Sequence, residues 1–527
     1  MRIALLKNGT IYDGKGNKPF VGDLLIAGNK INEISPKIDL NVDNIIDCKG
    51  LIISPGFIDG HSHNDFFVEK ENSVRYFEPF LRQGITSQVV GNCGFSAYGL
   101  DKDTPYLDII NKGLFPIDEP GSYSDYVKRN KDNLYINIAP LIGHGIVRGG
   151  INGHANKDLT AEQLNRMTEF VDEAMLNGAF GGSFGFMYEP GMFSNRNELN
   201  IFAKRVVEHD GILTFHPRAL SAVSAAYPPT TKESHQILAL EEVAEIVRES
   251  GGKAVLSHLT FAGKKSWETV DTMLAKLQEL QKQGIDINYD LYSFPYGATS
   301  ILVALLDFYM KLSKEDRQKK INILKSKFGT AISLKLLGLS FEDFVIAYIG
   351  DNCSRYEGKN IAQIAKEEGM SPSNMYLKLV ELSEGKGRVF AGKLYTDDIT
   401  LKLMQDPLSS FMTDAWIEDT GVQNAAAYQG FTNFLKIARD NNLALEKIIY
   451  KMTGKTAERF QINDRGTLEE GNAADITVFD LNALNTDMNN STHVSEGIKY
   501  VFVNGVKVVN NGIFNPVKAG KILSKNK

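Results

Sequence analysis

Apolar residues follow two different periods along this chain of 527 residues. The first 54 residues alternate short apolar runs with turns, as in GDLLIAGNKINEI, and Asn8-Gly9 and Gly28-Asn29 predict hairpin turns between strands. The far end repeats this pattern in IKYVFVNGVKVVNNG, with a third predicted turn at Asn504-Gly505. We therefore expect residues 1–54 and 465–527 to build one small β-sandwich domain from both chain termini.

Between these ends, helical stretches of ten or more residues alternate with short buried strands. The stretch LTAEQLNRMTEFVDEAMLNG begins with a capping box at Thr160 and ends near Gly178, and the strand-like GGSFG follows it. The segments EEVAEIVRESGGKAVLSHL and VDTMLAKLQELQKQGIDINYDLY repeat that order. Helices between successive buried strands are typical of α/β proteins with parallel sheets. Several such units in series predict a TIM (β/α)8 barrel over residues 55–464.

A stretch rich in Lys and Leu interrupts the barrel pattern at residues 299–389. Its helical character and its charged turns, such as LSKEDRQKK, predict an inserted helical cap that forms a lid over the barrel. Two ordinary βα units with long helices are the alternative interpretation.

Polar residues directly follow several of the buried strands. His61 and His63 end the run PGFIDGHSH, and because alternate residues of a strand face the same side, their imidazoles lie together. The other polar residues at strand ends are Cys93 after SQVVGN, His216 after GILTF, His258 after AVLS and Asp414 after SSFMT. Barrel strands end at one common mouth, so these side chains are expected to converge.

The residue types at this mouth predict a hydrolytic zinc site. Imidazole and thiolate are the ligands that zinc prefers, and a catalytic zinc lowers the pKa of its bound water to about 7. Asp414 is then expected to orient that water, take its proton and deliver a proton to the leaving nitrogen. Taken alone, Cys93 is also explained as a small buried residue, but its position among histidines favours a ligand.

The remaining histidines carry weaker predictions. His144 lies in the glycine-rich segment PLIGHGIVRGG after an apolar run, where a substrate or oxyanion contact and a purely structural role are both open. Four others lie in polar or helical contexts and are expected to be solvated: His154, His209, His235 and His493.

Composition excludes several classes of function. A net charge of −6 and a pI of about 5.9 provide no electrostatic basis for binding nucleic acid. No apolar run approaches the roughly 18 residues that a membrane-spanning helix needs. Three cysteines do not make a disulfide framework and are typical of a reducing compartment, so we expect a cytoplasmic enzyme with a small-molecule substrate. The sequence does not determine the oligomeric state.

Several motifs together carry a resemblance to a known family. PGFIDGHSHND, QGITSQVVGNCGFS, GHGIVRGG, GAFGGSFGFMYEPG and GNAADITVFD, in this order between about Asn8 and Asn510, resemble the D-aminoacylase (N-acyl-D-amino-acid deacylase) branch of the amidohydrolase superfamily. The resemblance implies zinc-dependent hydrolysis of a non-peptide carbon–nitrogen (amide) bond inside a TIM barrel. It also implies that the segment after Thr299 is a mobile cap.

Residue by residue, the resemblance assigns roles to the strand-end side chains. Cys93, His216 and His258 match the ligands of a tightly held zinc, whereas His61 and His63 match a second, weakly occupied metal position. Whether one or two metals bind stays open. Asp414 matches the catalytic aspartate. The predicted substrate contacts are His144, Arg148, Tyr188, Arg218 and Tyr292.

The chain departs from this family where the substrate carboxylate is held. Thr260 stands where relatives have a lysine, and NAAAYQGF, residues 424–431, contains no basic residue where relatives have His-Pro-Arg. Either Arg148, Arg218 or Lys264 holds the carboxylate from a new position, or the substrate has no free α-carboxylate. We favour the second explanation.

Other functions remain as alternatives. Ring opening of a cyclic amide or imide, as in dihydroorotase-like and hydantoinase-like relatives, would use the same metal chemistry. Deamination is disfavoured because the segment HPRA, which starts at His216, lacks the His-x-x-Glu acid of that subgroup. A homologue that has lost its metal and its activity would lack ligands, and here every ligand position that the resemblance identifies is filled.

Overall fold

The computed structural model describes residues 3–224, 226–228, 230–304, 316 and 319–525. The strands of this part of the chain, numbered β1 to β20 in order, are Ile3–Ile11, Phe20–Ala27, Lys30–Ser35, Ile45–Asp47, Ile52–Pro55, Phe57–Asp59, Ile85–Val90, Asn137–Gly143, Gly181–Gly185, Ile212–His216, Lys253–Leu256, Asp286–Leu291, Gly297–Ser300, Phe344–Tyr348, Arg388–Ala391, Ser409–Phe411, Ile476–Phe479, Ile498–Val503, Val506–Asn510 and Ile513–Phe514. Its α-helices are Val74–Leu81, Leu107–Ile110, Tyr123–Asn130, His144–Asn152, Ala161–Leu176, Arg196–Glu208, His235–Ser250, Lys264–Trp267, Val270–Lys282, Lys320–Leu337, Ile361–Glu367, Pro372–Leu382, Asp397–Gln405, Ala426–Asp440, Leu445–Met452 and Gly454–Phe460.

Eight parallel strands form the predicted TIM barrel. Their order around the sheet is β6, β7, β8, β9, β10, β11, β12 and β16, which is also their order along the chain. The first and last strands approach each other, since the amide of Gly60 donates to the carbonyl of Phe411 over 3.4 Å. Strands such as β7 and β8 are buried along their whole length, as expected for a parallel sheet covered on both faces. No helix among the described residues is long and apolar enough to cross a membrane.

The termini meet in a second sheet of nine strands. β20, β19, β18, β17, β5, β1, β2 and β3 follow one another in that sheet, and β4 pairs with β1. Leu6, Leu24, Ile476 and Phe502 belong to its separate apolar core, which therefore contains residues from both ends of the chain. Each terminus alone is too short to cover an apolar core. The strands of both ends therefore combine in one sheet. The domain boundaries given above stay predictions.

Two of the three predicted hairpin turns are present. Gly28-Asn29 joins β2 to β3, and Asn504-Gly505 joins β18 to β19. The prediction at Asn8-Gly9 is wrong, because both residues lie inside β1, where the pairing with β2 shifts register. Asn8 has φ +62° there, and its amide donates to the Asp23 carboxylate over 2.8 Å. An Asn-Gly pair supplies the left-handed backbone that a β-bulge also requires.

The insertion after β12 differs in part from the helical cap predicted for residues 299–389. Strands β13, β15 and β14 form an antiparallel sheet of their own, packed with three helices around a core that includes Ile346, Tyr376, Leu379 and Val389. The alternative of two ordinary βα units is wrong, because none of these strands pairs with the barrel sheet. Residues 305–315 and 317–318 of the predicted insertion lie outside the described residues. That the insertion moves as a lid stays a prediction.

Two lysines from the helices Leu445–Met452 and Gly454–Phe460 are buried against the start of β16. Lys451 Nζ donates to the carbonyl of Met404 over 2.6 Å and to the hydroxyl of Ser409 over 2.8 Å, and Lys455 Nζ donates to the carbonyl of Ser409 over 2.7 Å. Burial, together with the charge of Lys455, lowers the pKa of Lys451 to about 7. This pair holds the segment that leads into the last barrel strand.

We expect the Lys451→Met variant to melt at a lower temperature than the native protein and to gain less stability as the pH rises. Each acceptor that loses its donor costs about 1–3 kcal/mol. Because the pKa of Lys451 is about 7 in the folded chain and near its ordinary 10.5 when unfolded, the unfolded state binds more protons between these values. The free energy of unfolding therefore rises with pH in that window, and the variant lacks this contribution. Melting temperatures at pH 7 and pH 9 measure both effects.

The matched control is Lys447→Met, an exposed lysine one turn earlier on the same helix. It should melt within a degree or two of the native protein at both pH values. A Lys451→Met variant with the native pH response would contradict the assignment.

Candidate metal centre

The first two imidazoles of the cluster come from the end of β6. His61 and His63 are buried, and a short 3-10 helix over Asn64–Phe67 turns the chain immediately after them. Asp414 follows β16, the strand beside β6 in the barrel, and its amide donates to the carbonyl of His61 over 3.0 Å. As a result, Asp414 Oδ1 lies 3.5 Å from His61 Nε2 and 3.3 Å from His63 Nε2.

Cys93 joins this group from the loop that follows β7. Its Sγ lies 3.3 Å from His61 Nε2, 3.5 Å from His216 Nδ1 and 3.6 Å from His258 Nε2. His216 ends β10, and His258 follows β11. Four strands of the barrel therefore bring these four side chains to one point, as the strand-end pattern predicts.

Three of these residues have unusual backbone conformations. Cys93, His258 and Asp414 have φ values of +54°, +39° and +42°, a region that residues other than glycine adopt at a cost of about 1–3 kcal/mol. Each lies two or three residues after the end of a barrel strand, where a left-handed residue turns the chain sharply. Such strain persists only where the surroundings compensate it, and it is concentrated at functional sites.

The donor atoms of this cluster fit a metal ion. Ligands bound tetrahedrally at 2.0–2.3 Å from one zinc lie roughly 3.3–3.8 Å apart, and the separations of Cys93 Sγ from the three imidazole nitrogens fall in that range. Within the described residues, the donors of His61, Cys93 and His258 all lie within 4.8 Å of one another, and so do those of His61, His63 and Asp414. One thiolate, four imidazoles and one carboxylate are a borderline-soft set that suits zinc.

Burial prepares two of the four imidazoles, those of His216 and His258, for coordination. Burial lowers the pKa of His216 well below its usual range, and it lowers the pKa of His258 to about 4 although Asp414 opposes this. Both imidazoles are therefore neutral, the form that binds a metal. Burial raises the pKa of Cys93 to about 11, with His61 acting in the opposite direction, so a bound cation is needed to hold the thiolate form. Burial also disfavours the charged form of Asp414, but His61 and the other imidazoles outweigh it and lower its pKa.

Asp290 is a functional residue that the sequence analysis did not identify. Its carboxylate accepts a hydrogen bond from the amide of His258, and its other oxygen lies 3.5 Å from His61 Nδ1. It therefore holds the backbone of His258 and lies behind the imidazole of His61, as carboxylates behind metal-binding histidines do. The available signal was its position in β12, at the start of DLYSFPY, since the other strand ends also carry polar residues.

Aromatic rings close one side of the cluster. Phe115 stacks on His63 with ring centroids 4.7 Å apart, and Trp416 contacts both of these rings at 4.8 and 5.8 Å. Phe115 lies in a loop without any periodic pattern, so nothing in the sequence identified it. The rings shield the imidazoles from water and give this side of the site an apolar surface.

Two of the predicted substrate contacts lie at the cluster. Tyr292 donates its hydroxyl hydrogen to Asp414 Oδ2, and the ring of Tyr188 lies 4.6 Å from the ring of His216. Burial, together with Asp414, raises the pKa of Tyr292 well above its usual range, so its hydroxyl remains a donor. Their contacts with a substrate stay predictions.

His144 and Arg148 instead form a buried network with Glu198. His144 Nε2 lies 2.8 Å from Glu198 Oε1, and Arg148 donates to Glu198 Oε2 over 2.6 Å. Arg148 also donates to the carbonyls of Pro190 and Lys157, and its side chain is completely buried. The substrate contacts predicted for both residues therefore stay predictions that would require this network to open.

Replacing Arg148 by methionine is expected to destabilise the protein by about 3–5 kcal/mol, because Glu198 would keep a buried charge without its partner. Thermal unfolding followed by circular dichroism measures the effect. Arg166→Met removes an arginine whose side chain is 44% exposed and should change stability by less than about 1 kcal/mol. Equal melting temperatures for the two variants would show that the buried Arg148 pair contributes no more to stability than the exposed Arg166 does.

Three further residues from the carboxylate analysis make their contacts away from the cluster: Arg218, Lys264 and Thr260. Arg218 donates through Nε and a terminal nitrogen to the carboxylate of Glu242 over 2.8–3.2 Å, and Lys264 is exposed at the start of a short helix. Thr260 is buried beside a small cavity that Gln236 also lines, and its hydroxyl has no hydrogen-bond partner in the described part of the chain. None of these side chains has a described contact with the metal-ligand cluster.

The other histidines include one correction. His235 was expected to be solvated, but it is buried, and its Nδ1 accepts a hydrogen bond from the amide of Ser224 over 2.7 Å. It begins a helix and faces inward because the preceding loop folds back over it. His154, His209 and His493 are partly exposed, and His209 pairs with Asp172 at 2.9 Å.

Comparison with known proteins extends over the whole chain. The profile of the amidohydrolase family matches residues 52–508. D-aminoacylase of Alcaligenes xylosoxydans xylosoxydans is 27% identical over 533 residues, which cover 99% of this chain and 97% of that protein. N-acyl-D-glutamate deacylase of the same organism is 26% identical over 517 residues, covering 96% of this chain and 93% of that protein.

A solved structure shows the same fold. The N-acyl-D-glutamate deacylase of Bordetella bronchiseptica, determined with zinc and a phosphonate inhibitor, superposes with a TM-score of 0.80 at 23% identity. The superposition covers 99% of this chain and all of that one. The similarity therefore includes the terminal sheet and the insertion as well as the barrel.

Proposed function

This chain belongs to the amidohydrolase family, and on that premise we propose that it hydrolyses a linear amide of the N-acyl-D-amino-acid type. The reaction breaks a carbon–nitrogen bond other than a peptide bond, with water as the nucleophile. The position of Asp414 is the main support for this proposal. Its carboxylate faces the cluster of metal-ligand side chains on one side and a tyrosine hydroxyl on the other. D-aminoacylase and N-acyl-D-amino-acid deacylases are among its relatives along nearly the whole chain, which supports this substrate class.

Zinc is the metal that the proposal includes. Cys93, His216 and His258 would hold the tightly bound ion, and His61 and His63 would hold a second, weaker one beside it. When bound, zinc supplies a Lewis acid that polarises the amide carbonyl and makes water a nucleophile at neutral pH. The donor separations described above and the neutral state of His216 and His258 support this assignment.

Asp414 would move the protons of the reaction. Tyr292 holds Oδ2 of the carboxylate, so Oδ1 is directed toward His61 and His63. From there Asp414 takes a proton from the attacking water, and it later donates that proton to the leaving nitrogen. The lowered pKa of Asp414 keeps the carboxylate ionised, the form that can accept a proton. Tyr188, beside His216, would contact the acyl group.

A reducing, cytoplasmic location is part of the same proposal. Cys48, Cys93 and Cys353 are all free thiols, and a ligand thiol must stay reduced to bind zinc.

The test combines metal analysis with a substrate screen. Purified protein should contain at least about one equivalent of zinc and should hydrolyse N-acetyl-D-amino acids or their derivatives faster than the L-isomers. Hydantoin and dihydrouracil test the alternative, ring opening of cyclic amides. Turnover of the cyclic compounds alone would replace the proposed function, and the absence of hydrolysis by zinc-loaded protein would contradict it.

A further inference from the structure

A pocket adjoins the metal-ligand cluster between the barrel and the insertion. Trp416 and Glu418, from the loop after β16, line one side, and Ala298, Arg388 and Phe390, from the insertion sheet, line the other. We refer to it as the Trp416 pocket. Trp416 follows Asp414 by two residues and contacts the ring of His63, so the pocket and the reacting centre share a wall.

The charges of this pocket already neutralise each other. A terminal nitrogen of Arg388 pairs with Glu418 Oε1, and the other donates to the carbonyl of Thr420 over 2.9 Å. The guanidinium also lies over the ring of Tyr348, 5.0 Å from its centroid. Glu418 Oε1 in turn accepts from Trp416 Nε1 over 2.7 Å. The side chains of Arg388 and Glu418 are only 15% and 24% exposed.

A carboxylate entering this pocket would find no free cation. It would have to displace Glu418 from Arg388, and the displaced carboxylate would remain close to it in a largely dry environment. Burial raises the pKa of Glu418 even with Arg388 beside it, so the surroundings already disfavour one negative charge. The remaining lining is apolar or uncharged, with Leu114, Phe390 and Thr299 as examples.

The other cations that could hold a substrate carboxylate either pair with another residue or make no described contact with the cluster or the pocket. Arg148 is bound by Glu198 inside the protein, Arg218 is bound by Glu242, and Lys264 is exposed at the start of its short helix. The described residues thus offer no unpaired basic side chain in contact with the cluster or the pocket.

Resting on the proposed function, we propose that the substrate presents an uncharged, partly apolar group to the Trp416 pocket. The enzyme then prefers N-acyl amino-acid amides, or other uncharged amides, to N-acyl amino acids with a free α-carboxylate. Arg388 and Glu418 are the residues that set this specificity, because Glu418 occupies the position from which a substrate carboxylate would otherwise bind Arg388.

The first experiment compares two substrates with the same scissile bond, N-acetyl-D-methionine and N-acetyl-D-methioninamide, on the native enzyme loaded with zinc. The uncharged amide should have a kcat/KM for release of acetate about tenfold higher or more, since a buried unpaired carboxylate is unfavourable. Equal values, or a preference for the free acid, would overturn the inference while leaving the proposed hydrolysis intact. Turnover of neither compound would overturn both.

The second experiment frees Arg388 with Glu418→Gln, which keeps an acceptor for Trp416. The ratio of kcat/KM for the free acid to kcat/KM for the amide should rise about tenfold, because a guanidinium without a partner binds carboxylates strongly. Asp419→Asn is the matched control: it removes a neighbouring charge from a side chain that is 73% exposed and contacts Arg75 instead. An unchanged ratio of the two substrates in Glu418→Gln, with the native melting temperature, would overturn the role of the pair.

Discussion

Replacing Asp414 by asparagine is expected to lower kcat/KM by about 10²–10⁴-fold, the contribution of a positioned general acid and base. Asparagine keeps the shape of the side chain and an oxygen that can accept from Tyr292, but it does not take up the proton of water. Because Cys93, His216 and His258 remain, the tightly held metal should stay at its native content. Steady-state kinetics on protein of known zinc content measures both quantities.

Asp419→Asn again provides the control, since it makes the same chemical change five residues further along, on a largely exposed side chain. It should retain activity within about twofold. An Asp414→Asn enzyme with near-native kcat/KM would refute the role of Asp414 as the proton carrier. A parallel loss of zinc would instead make Asp414 a metal ligand, which its 3.3 Å separation from His63 Nε2 also permits.

The second large effect is expected from Cys93→Ala. The variant should lose most of its zinc after gel filtration in metal-free buffer, and its activity should fall by at least about 10³-fold because the nucleophile is no longer activated. Cys93 Sγ lies 3.3–3.6 Å from three imidazole nitrogens, so its loss opens the centre of the cluster. Zinc content by atomic absorption and activity at several added zinc concentrations measure the change.

Cys48→Ala is the matched control, because Cys48 is also a free buried thiol but belongs to the core of the terminal sheet. That variant should keep its zinc, although it leaves a small cavity. Cys93→Ala protein that retains zinc as tightly as the native protein would exclude the thiol as a ligand, whatever happens to its activity.

The predictions that the structure bears out rest on local patterns. The alternation of helices with buried strands predicts the barrel, because hydrophobic period is decided within 10 to 20 residues of sequence. The capping box at Thr160 is present, with the Thr160 side chain accepting from the amide of Gln163, for the same reason. Strand-end positions of His61, Cys93 and Asp414 brought them together because parallel strands share one carboxyl edge.

The local pattern was misleading where two different local structures require the same residue types. Asn8-Gly9 supplies a left-handed backbone both to a hairpin turn and to a bulge, and only the pairing of β1 with β2 distinguishes them. In the insertion, short apolar runs among helices did not predict an antiparallel sheet, since β13 and β15 pair across about 90 residues of chain.

By itself, the sequence determined the barrel, the terminal strands and the residue types of the metal centre, because each follows from hydrophobic period or from position at a strand end. Only the tertiary structure decided which charges are free. Arg148, Arg218 and Arg388 look alike in the sequence, yet Glu198, Glu242 and Glu418 neutralise them across 50, 24 and 30 residues. Ion pairing depends on side chains meeting in space and on how far water is excluded there, and neither is encoded in a local pattern.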